Sequence, residues 1–199
     1  RYRGTVVPTK ASVHIFREAI ARMLGKVVKY ELNWTELDAG DRVELKKGRY
    51  LETFKGDHGT ENPLIYVVNE QRKHLKEELH GTPGRELAKL SNDEKYDYHT
   101  AKIFAYSGDS MPVAPEVYRD VEILLHECTF LDARDRKYPI HSAVQEVFDL
   151  ARDAGAKRLF LTHISPRYFR RVIAGLVDKA DHHGIPFDVV IPDRVNEFD

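Results

Sequence analysis

The sequence predicts an α/β fold, a sandwich of sheets covered by helices, and three observations point to it. Strand-sized apolar runs alternate with helical patterns along most of the 199 residues, with no internal repeat and no low-complexity segment. In the C-terminal half the runs at 103–106, 121–125, 159–162 and 187–191 are nearly continuous in apolar side chains, the pattern of strands buried on both faces. Amphipathic helices at 143–154 and 168–180 lie among them. Val144, Val147, Phe148 and Ala151 form the inward stripe of the first, and Phe169, Val172, Ile173 and Leu176 that of the second.

Taken in order, residues 5–7 are a short strand, and Ser12 caps a helix whose Val13, Phe16, Ile20 and Met23 recur at helical spacing. Alternating side chains at 27–32, 42–45, 50–54 and 64–68 predict a β meander with turns at Ala39-Gly40-Asp41 and Lys47-Gly48. Charged helical patterns follow at 72–79 and 83–90, and 91–100 is polar and loop-like. A chain of this length holds one sizeable core, so residues 1–199 are expected to form a single domain.

Composition narrows the function. The 31 Lys and Arg against 32 Asp and Glu leave a net charge of -1, which argues against a surface coated in nucleic-acid-binding charge and makes any such contact local. No apolar run approaches the roughly 20 residues of a membrane-spanning helix, and no secretory signal is visible. The one cysteine, Cys128, excludes an internal disulfide framework and fits a reducing, cytoplasmic compartment, with the thiol itself a small buried hydrophobe.

Metal-capable residues follow three of the buried strands. Residues 103–106 run into Ser107-Gly108-Asp109-Ser110, 121–125 into His126-Glu127, and 159–161 into Thr162-His163-Ile164-Ser165. Strand ends are rigid platforms, so ligands mounted there converge without the ordering entropy of a loop. Gly108 permits the sharp turn that points Asp109 out of its strand end. Taken alone, Asp109 in a Gly-Asp-Ser turn is equally an ordinary cap, and His163 is either a core histidine or a ligand. His58 in Gly-Asp-His-Gly could sit in a hairpin turn, His141-Ser142 could open a helix with Ser142 as its cap, and Glu127 could partner His126. His14, His74, His80, His99, His182 and His183 show no supporting pattern and are assigned to surface or core packing.

Together the segments YSGDS, LLHECTF, IHSAVQEVFDLARDAGAKRLFLTHISPRY and TFKGDHGTENPLIYVV resemble the later motifs of ribonuclease Z, the tRNA 3′-end endonuclease of the metallo-β-lactamase superfamily. The resemblance covers residues 50–169. It implies a metallo-β-lactamase-like αββα sandwich, two zinc ions, a precursor-tRNA substrate and a homodimer. His58 and His163 become zinc ligands on separate metals, and Asp109 the carboxylate bridging them, roles that imidazole and carboxylate suit. Paired zinc ions would clamp the scissile phosphate, lower the pKa of a bridging water and offset charge on the departing oxygen. Glu127 and His141 resemble the family's pair beside the metals, in which the carboxylate orients the imidazole to hand a proton to the leaving 3′-oxygen. Ser165, Arg167 and Tyr168 resemble the phosphate-contacting end of the last motif, where a bidentate Arg suits phosphate.

The family's first-metal motif, His-x-His-x-Asp-His, is absent, since no two of the ten histidines are separated by one residue. In the family that motif precedes the position matching His58, so the chain is expected to begin downstream of it and to lack the strands that carry it. An RNA-gripping arm often lies between the positions matching His58 and Asp109. Here that interval holds Gly81-Thr82-Pro83-Gly84, and a short arm-like insertion is expected at 72–100. Fold and zinc chemistry leave the substrate open. The rival readings are a phosphodiesterase acting on a small phosphodiester, which the near-neutral charge favours, and a non-catalytic, metal-free member of the fold.

Overall fold

A computed structural model describes residues 37–59, 63–168 and 179–190, together with positions 18, 19, 22, 35, 175 and 177. The strands expected at 5–7 and 27–32 lie outside the described residues, as do most of the helices expected at 12–23 and 168–180. The chain divides into two compact units, Arg1–Leu37 and Asp38–Asp199, and every element below belongs to the second.

The alternation that predicts a meander folds into one. Strands β1 (Arg42–Lys46), β2 (Arg49–Lys55) and β3 (Leu64–Leu75) pair antiparallel in sequence order. Gly48 makes the tight β1–β2 turn at φ 76°, a left-handed value that costs an L side chain steric strain. β3 then pairs antiparallel with β4 (Tyr96–Tyr106), and here the structure departs from expectation. Residues 72–75 continue β3 rather than opening a helix, and 96–100 belong to β4 rather than to a loop. Between the strands lie only a 3₁₀ turn at Glu77–Leu79 and two single-turn helices, α1 (Gly84–Leu87) and α2 (Asn92–Lys95).

The reason is tertiary. Cross-strand partners from Gln71↔Thr100 to Leu75↔Tyr96 satisfy the backbone. Arg72 grips Glu122 through both terminal guanidinium nitrogens, at 2.5 and 3.0 Å, and Lys73 lies 4.2 Å over the Tyr96 ring. Such pairs outweigh a helical periodicity built of charges with no apolar face to bury. Ser91 opens α2 with a capping box to Glu94, a local helix signal inside the stretch expected to be loop. The product is a two-stranded arm: past Asn69, β3 buries no side chain, and β4 buries none before Ala105.

From β4 onward the sheet turns parallel, through β5 (Leu124–Glu127), β6 (Leu159–Thr162) and β7 (Phe187–Val189), with spatial order equal to sequence order. The run expected at 121–125 is displaced toward the C-terminus. Val121 precedes the strand and His126 and Glu127 lie within it, because β5 takes its register from β6, from Leu124↔Leu159 to Glu127↔Thr162. Helix α3 (Val144–Ala154) buries the expected Val144, Val147, Phe148 and Ala151, and also Leu150 and Ala154. These join Ile65, Val67, Leu124, Leu159 and Leu161 in one core, where each large apolar side chain contributes about 1.5–3 kcal/mol. Ser142 is not the cap of α3. Ala143 holds that place, its N–H donating to the Glu146 carboxylate at 2.9 Å, while Ser142 Oγ donates to Ser110 O at 2.7 Å.

Because β4, β5 and β6 are adjacent and parallel, their carboxyl ends open at one edge of the sheet. That edge is where open α/β sheets hold ligands. Among the described residues, no helix is long and apolar enough to cross a membrane.

Candidate metal centre

Asp109 follows β4, Glu127 ends β5 and His163 follows β6, so strand order alone brings all three to the same edge. Gly108, at φ 59°, makes the turn before Asp109, and a Cβ there would stand 3.1 Å from Leu64 O. His58 comes from the antiparallel side, in the loop after β2, and that loop is tied across to the Asp109 turn. Asp57 N donates to Ser110 Oγ at 2.9 Å, and Met111 N donates to Asp57 O at 2.7 Å. Arg136 secures His141, donating to its carbonyl at 2.8 Å while both guanidinium nitrogens reach Glu146 at 2.7 Å.

The side chains converge. His58 Nε2 lies 3.3 Å from His141 Nε2, and His163 Nε2 lies 3.6 Å from Asp109 Oδ2. Ligand atoms of His58, Asp109 and His141 all fall within 4.8 Å of one another, and so do those of Glu127, His141 and His163. His141 belongs to both groups, with its ring centre 4.6 Å from that of His58 and 5.3 Å from that of His163.

Glu127, only 1% exposed, organises the group. Its Oε1 accepts from His141 Nδ1 at 3.0 Å and from Ser142 N at 2.9 Å; its Oε2 accepts from Thr129 N and Thr129 Oγ1, each at 2.9 Å. Four donors on two oxygens mark an ionised carboxylate. It holds His141 with the proton on Nδ1 and the Nε2 lone pair toward His58. Two ring nitrogens 3.3 Å apart need a proton or a cation between them. Imidazole and carboxylate donors are accepted by zinc and other divalent ions, and the residues present fit such an ion.

The other expected residues fall as follows. Glu127 does not turn its carboxylate to His126, whose Nδ1 instead meets the Glu127 carbonyl at 2.7 Å. The His126 ring is fully buried, and that burial pulls its pKa down. Cys128 is a buried free thiol, pushed up by burial. Arg167 Nε donates to Ser165 Oγ at 3.1 Å, and the guanidinium lies 5.1 Å over the Phe130 ring, whose centre is 6.4 Å from that of His141. Tyr168 is engaged by Asp135, to which its hydroxyl donates at 2.5 Å; burial and then that bond push the phenol up to about 12. Sequence reasoning missed Thr129 and Arg136. Thr129 had a signal, since side chains two apart in extended chain share a face with Glu127; Arg136 had none.

No family model matches the sequence. Ribonuclease Z of Geobacillus kaustophilus is 41% identical over 193 residues, covering 84% of this chain and 62% of that protein. Ribonuclease Z of Methanosarcina mazei is 32% identical over 167 residues, covering 71% and 53%. The chain is ribonuclease Z-like. It spans 62% and 53% of the lengths of these two ribonucleases Z. Among solved structures, the metallo-β-lactamase fold protein YhfI of Bacillus subtilis matches with a TM-score of 0.54 at 14% identity, covering 86% of this chain and 59% of that one. The mixed seven-stranded sheet with its covering helix is therefore a metallo-β-lactamase fold.

Proposed function

We propose that the chain carries the later metal ligands and the proton-delivery pair of a ribonuclease Z-type centre, in a metal-dependent endoribonuclease that removes the 3′ trailer of precursor tRNA. The observation that carries this reading is the convergence of His58, Asp109, His141 and His163 in two groups that share His141, whose ring is held by the buried Glu127 carboxylate. His58 and His163 would hold separate zinc ions, with Asp109 between them. What zinc supplies when bound is Lewis acidity, giving a water nucleophile at neutral pH and offsetting charge on the phosphate.

The protein's own groups do the rest. His141, held at Nδ1 by Glu127, would act as the acid in its cationic form: Nε2 takes up a proton, which the carboxylate stabilises on the ring, and passes it to the leaving 3′-oxygen. Arg167, steadied by Ser165 and by the Asp135 carbonyl at 3.3 Å, presents its planar fork to a phosphate oxygen. Tyr168 holds the Asp135 side of that cradle. The β3–β4 arm offers cations and aromatic faces to RNA, with Lys73 and Lys95 both at the Tyr96 ring. A homodimer and a cytoplasmic location belong to the same reading, and the free, buried thiol of Cys128 supports the latter.

The test measures zinc content and cleavage together, on the longest natural form of the protein containing this sequence. Precursor tRNA with a 3′ trailer and a small aryl phosphodiester are offered as substrates. Trailer removal that stops with a chelator and returns with zinc is expected. Hydrolysis of the small ester alone would move the function to small phosphodiesters. Substoichiometric zinc with neither activity would make the protein a non-catalytic member of the fold.

A further inference from the structure

Glu127 has two oxygens, and only one of them serves His141. The other accepts from both the N–H and the hydroxyl of Thr129 at 2.9 Å, and the same hydroxyl oxygen lies 2.8 Å from His163 Nδ1. A threonine hydroxyl has one hydrogen to give, and an ionised carboxylate has none. The hydroxyl hydrogen therefore goes to Glu127, and the proton between Thr129 and His163 belongs to the imidazole. His163 is thereby fixed with its proton on Nδ1 and its lone pair on Nε2, the nitrogen facing Asp109 at 3.6 Å.

This support is needed at His163. Its backbone sits at φ 57°, left-handed and outside the strand, and its side chain is 48% exposed, so neither regular pairing nor packing alone sets the ring. Thr129, 8% exposed, is itself pinned, because its carbonyl accepts from Ser165 N at 3.1 Å and its N–H is held by Glu127. We infer that Thr129 is a positioning residue: it couples the buried Glu127 carboxylate to His163, so that one carboxylate sets the tautomer of both imidazoles and aims both Nε2 atoms into the centre. Proton-accepting partners behind ligand histidines fix ring orientation and raise basicity, and their loss typically weakens metal binding about 10- to 100-fold.

The inference rests on the metal-centre reading only for its affinity arm, and the experiment separates the two. Imidazole tautomers are read by long-range ¹⁵N–¹H NMR on the full chain at mildly alkaline pH, with His163 assigned from its loss in His163→Gln. Zinc alone is then titrated in. The wild type should show the Nδ1–H form of His163. Thr129→Val, which keeps the branched shape and the backbone bond to Glu127, should show a mixture of tautomers and bind zinc about 10- to 100-fold more weakly. Thr129→Ser should restore both. A wild-type His163 protonated on Nε2, or a Thr129→Val protein with an unchanged tautomer, overturns the inference, and the wild-type spectrum decides even if the valine variant does not fold. A fixed tautomer that valine releases, in a protein that takes up no zinc, leaves Thr129 its positioning role and refutes the metal centre instead.

Discussion

Replacing Glu127 with glutamine isolates what the buried carboxylate does, because volume is kept while one acceptor oxygen becomes a donor. In the wild type, Oε1 serves His141 and Ser142 N, and Oε2 serves the N–H and hydroxyl of Thr129. An amide can face only one pair correctly. With its oxygen toward His141, the amide NH₂ meets Thr129; the hydroxyl there can rotate, but the backbone N–H cannot. Turned the other way, Ser142 N is stranded. Both residues are buried, so either orientation leaves one buried N–H without an acceptor, at about 1–3 kcal/mol. The surviving bonds also lose their charge assistance, bringing the total to about 2–4 kcal/mol. For a unit of this size that is a fall in Tm of roughly 5–15 °C. Thermal and urea unfolding followed by circular dichroism, with chelator present in both proteins, measures it. A change below about 0.5 kcal/mol would mean that the four bonds do not form, and the account of His141 and His163 orientation would fall with them.

Four further outcomes are expected. Asp109→Ala should abolish trailer cleavage and lower zinc stoichiometry, read by mass spectrometry of the metal, whereas full occupancy with retained activity would exclude a bridging carboxylate. His141→Ala should slow turnover about 10²- to 10⁴-fold at unchanged zinc content; loss of zinc would instead make His141 a ligand, as its place in both ligand groups allows. Gly59→Ala should cost about 1–2 kcal/mol in chemical denaturation, because φ is 68° and the new Cβ would stand 2.9 Å from Ile140 Cγ2. The Arg72–Glu122 pair should stabilise the arm above the ordinary carboxylate range and cease to do so in acid. The Arg72 hydrogen bond holds the Glu122 carboxyl below its usual value, so its contribution is present above the unfolded pKa and is lost as pH falls through the folded one. A double-mutant cycle of Arg72→Ala and Glu122→Gln at neutral and acid pH reads this, and a coupling that grows in acid would contradict it.

Much of this was legible in the chain. Period-two alternation gave the meander, continuous apolar runs gave the parallel strands, and the residues following those runs are the ones the sheet brings together. Failures came where tertiary pairing overrode local pattern. The charges at 72–79 repeat at helical spacing, yet they form strand because β4 supplies partners that periodicity cannot see. Ser142 has the chemistry of a helix cap, but its hydroxyl is taken by Ser110 O, some thirty residues earlier in the chain. Arg136 was invisible for a related reason: its work is to join His141 to Glu146, a contact that exists only once the loop has closed.

The break in register between β3 and β4 sets the terms on which this protein can change length. Val68 faces Phe104 while Asn69 faces Lys102, so Ile103 is the extra residue of a bulge that lies between the projecting arm and the core. On the arm side, insertions or deletions between Lys76 and Lys95 alter only a hairpin tip. On the core side there is no such tolerance. Removing one residue between the bulge and Ser107 would drag Asp109 back by about 3.3 Å and exchange the inward and outward faces at Ala105. Growth and shrinkage of the arm's tip are thus insulated from the geometry of the cluster of His58, Asp109, His141 and His163 by a single extra residue.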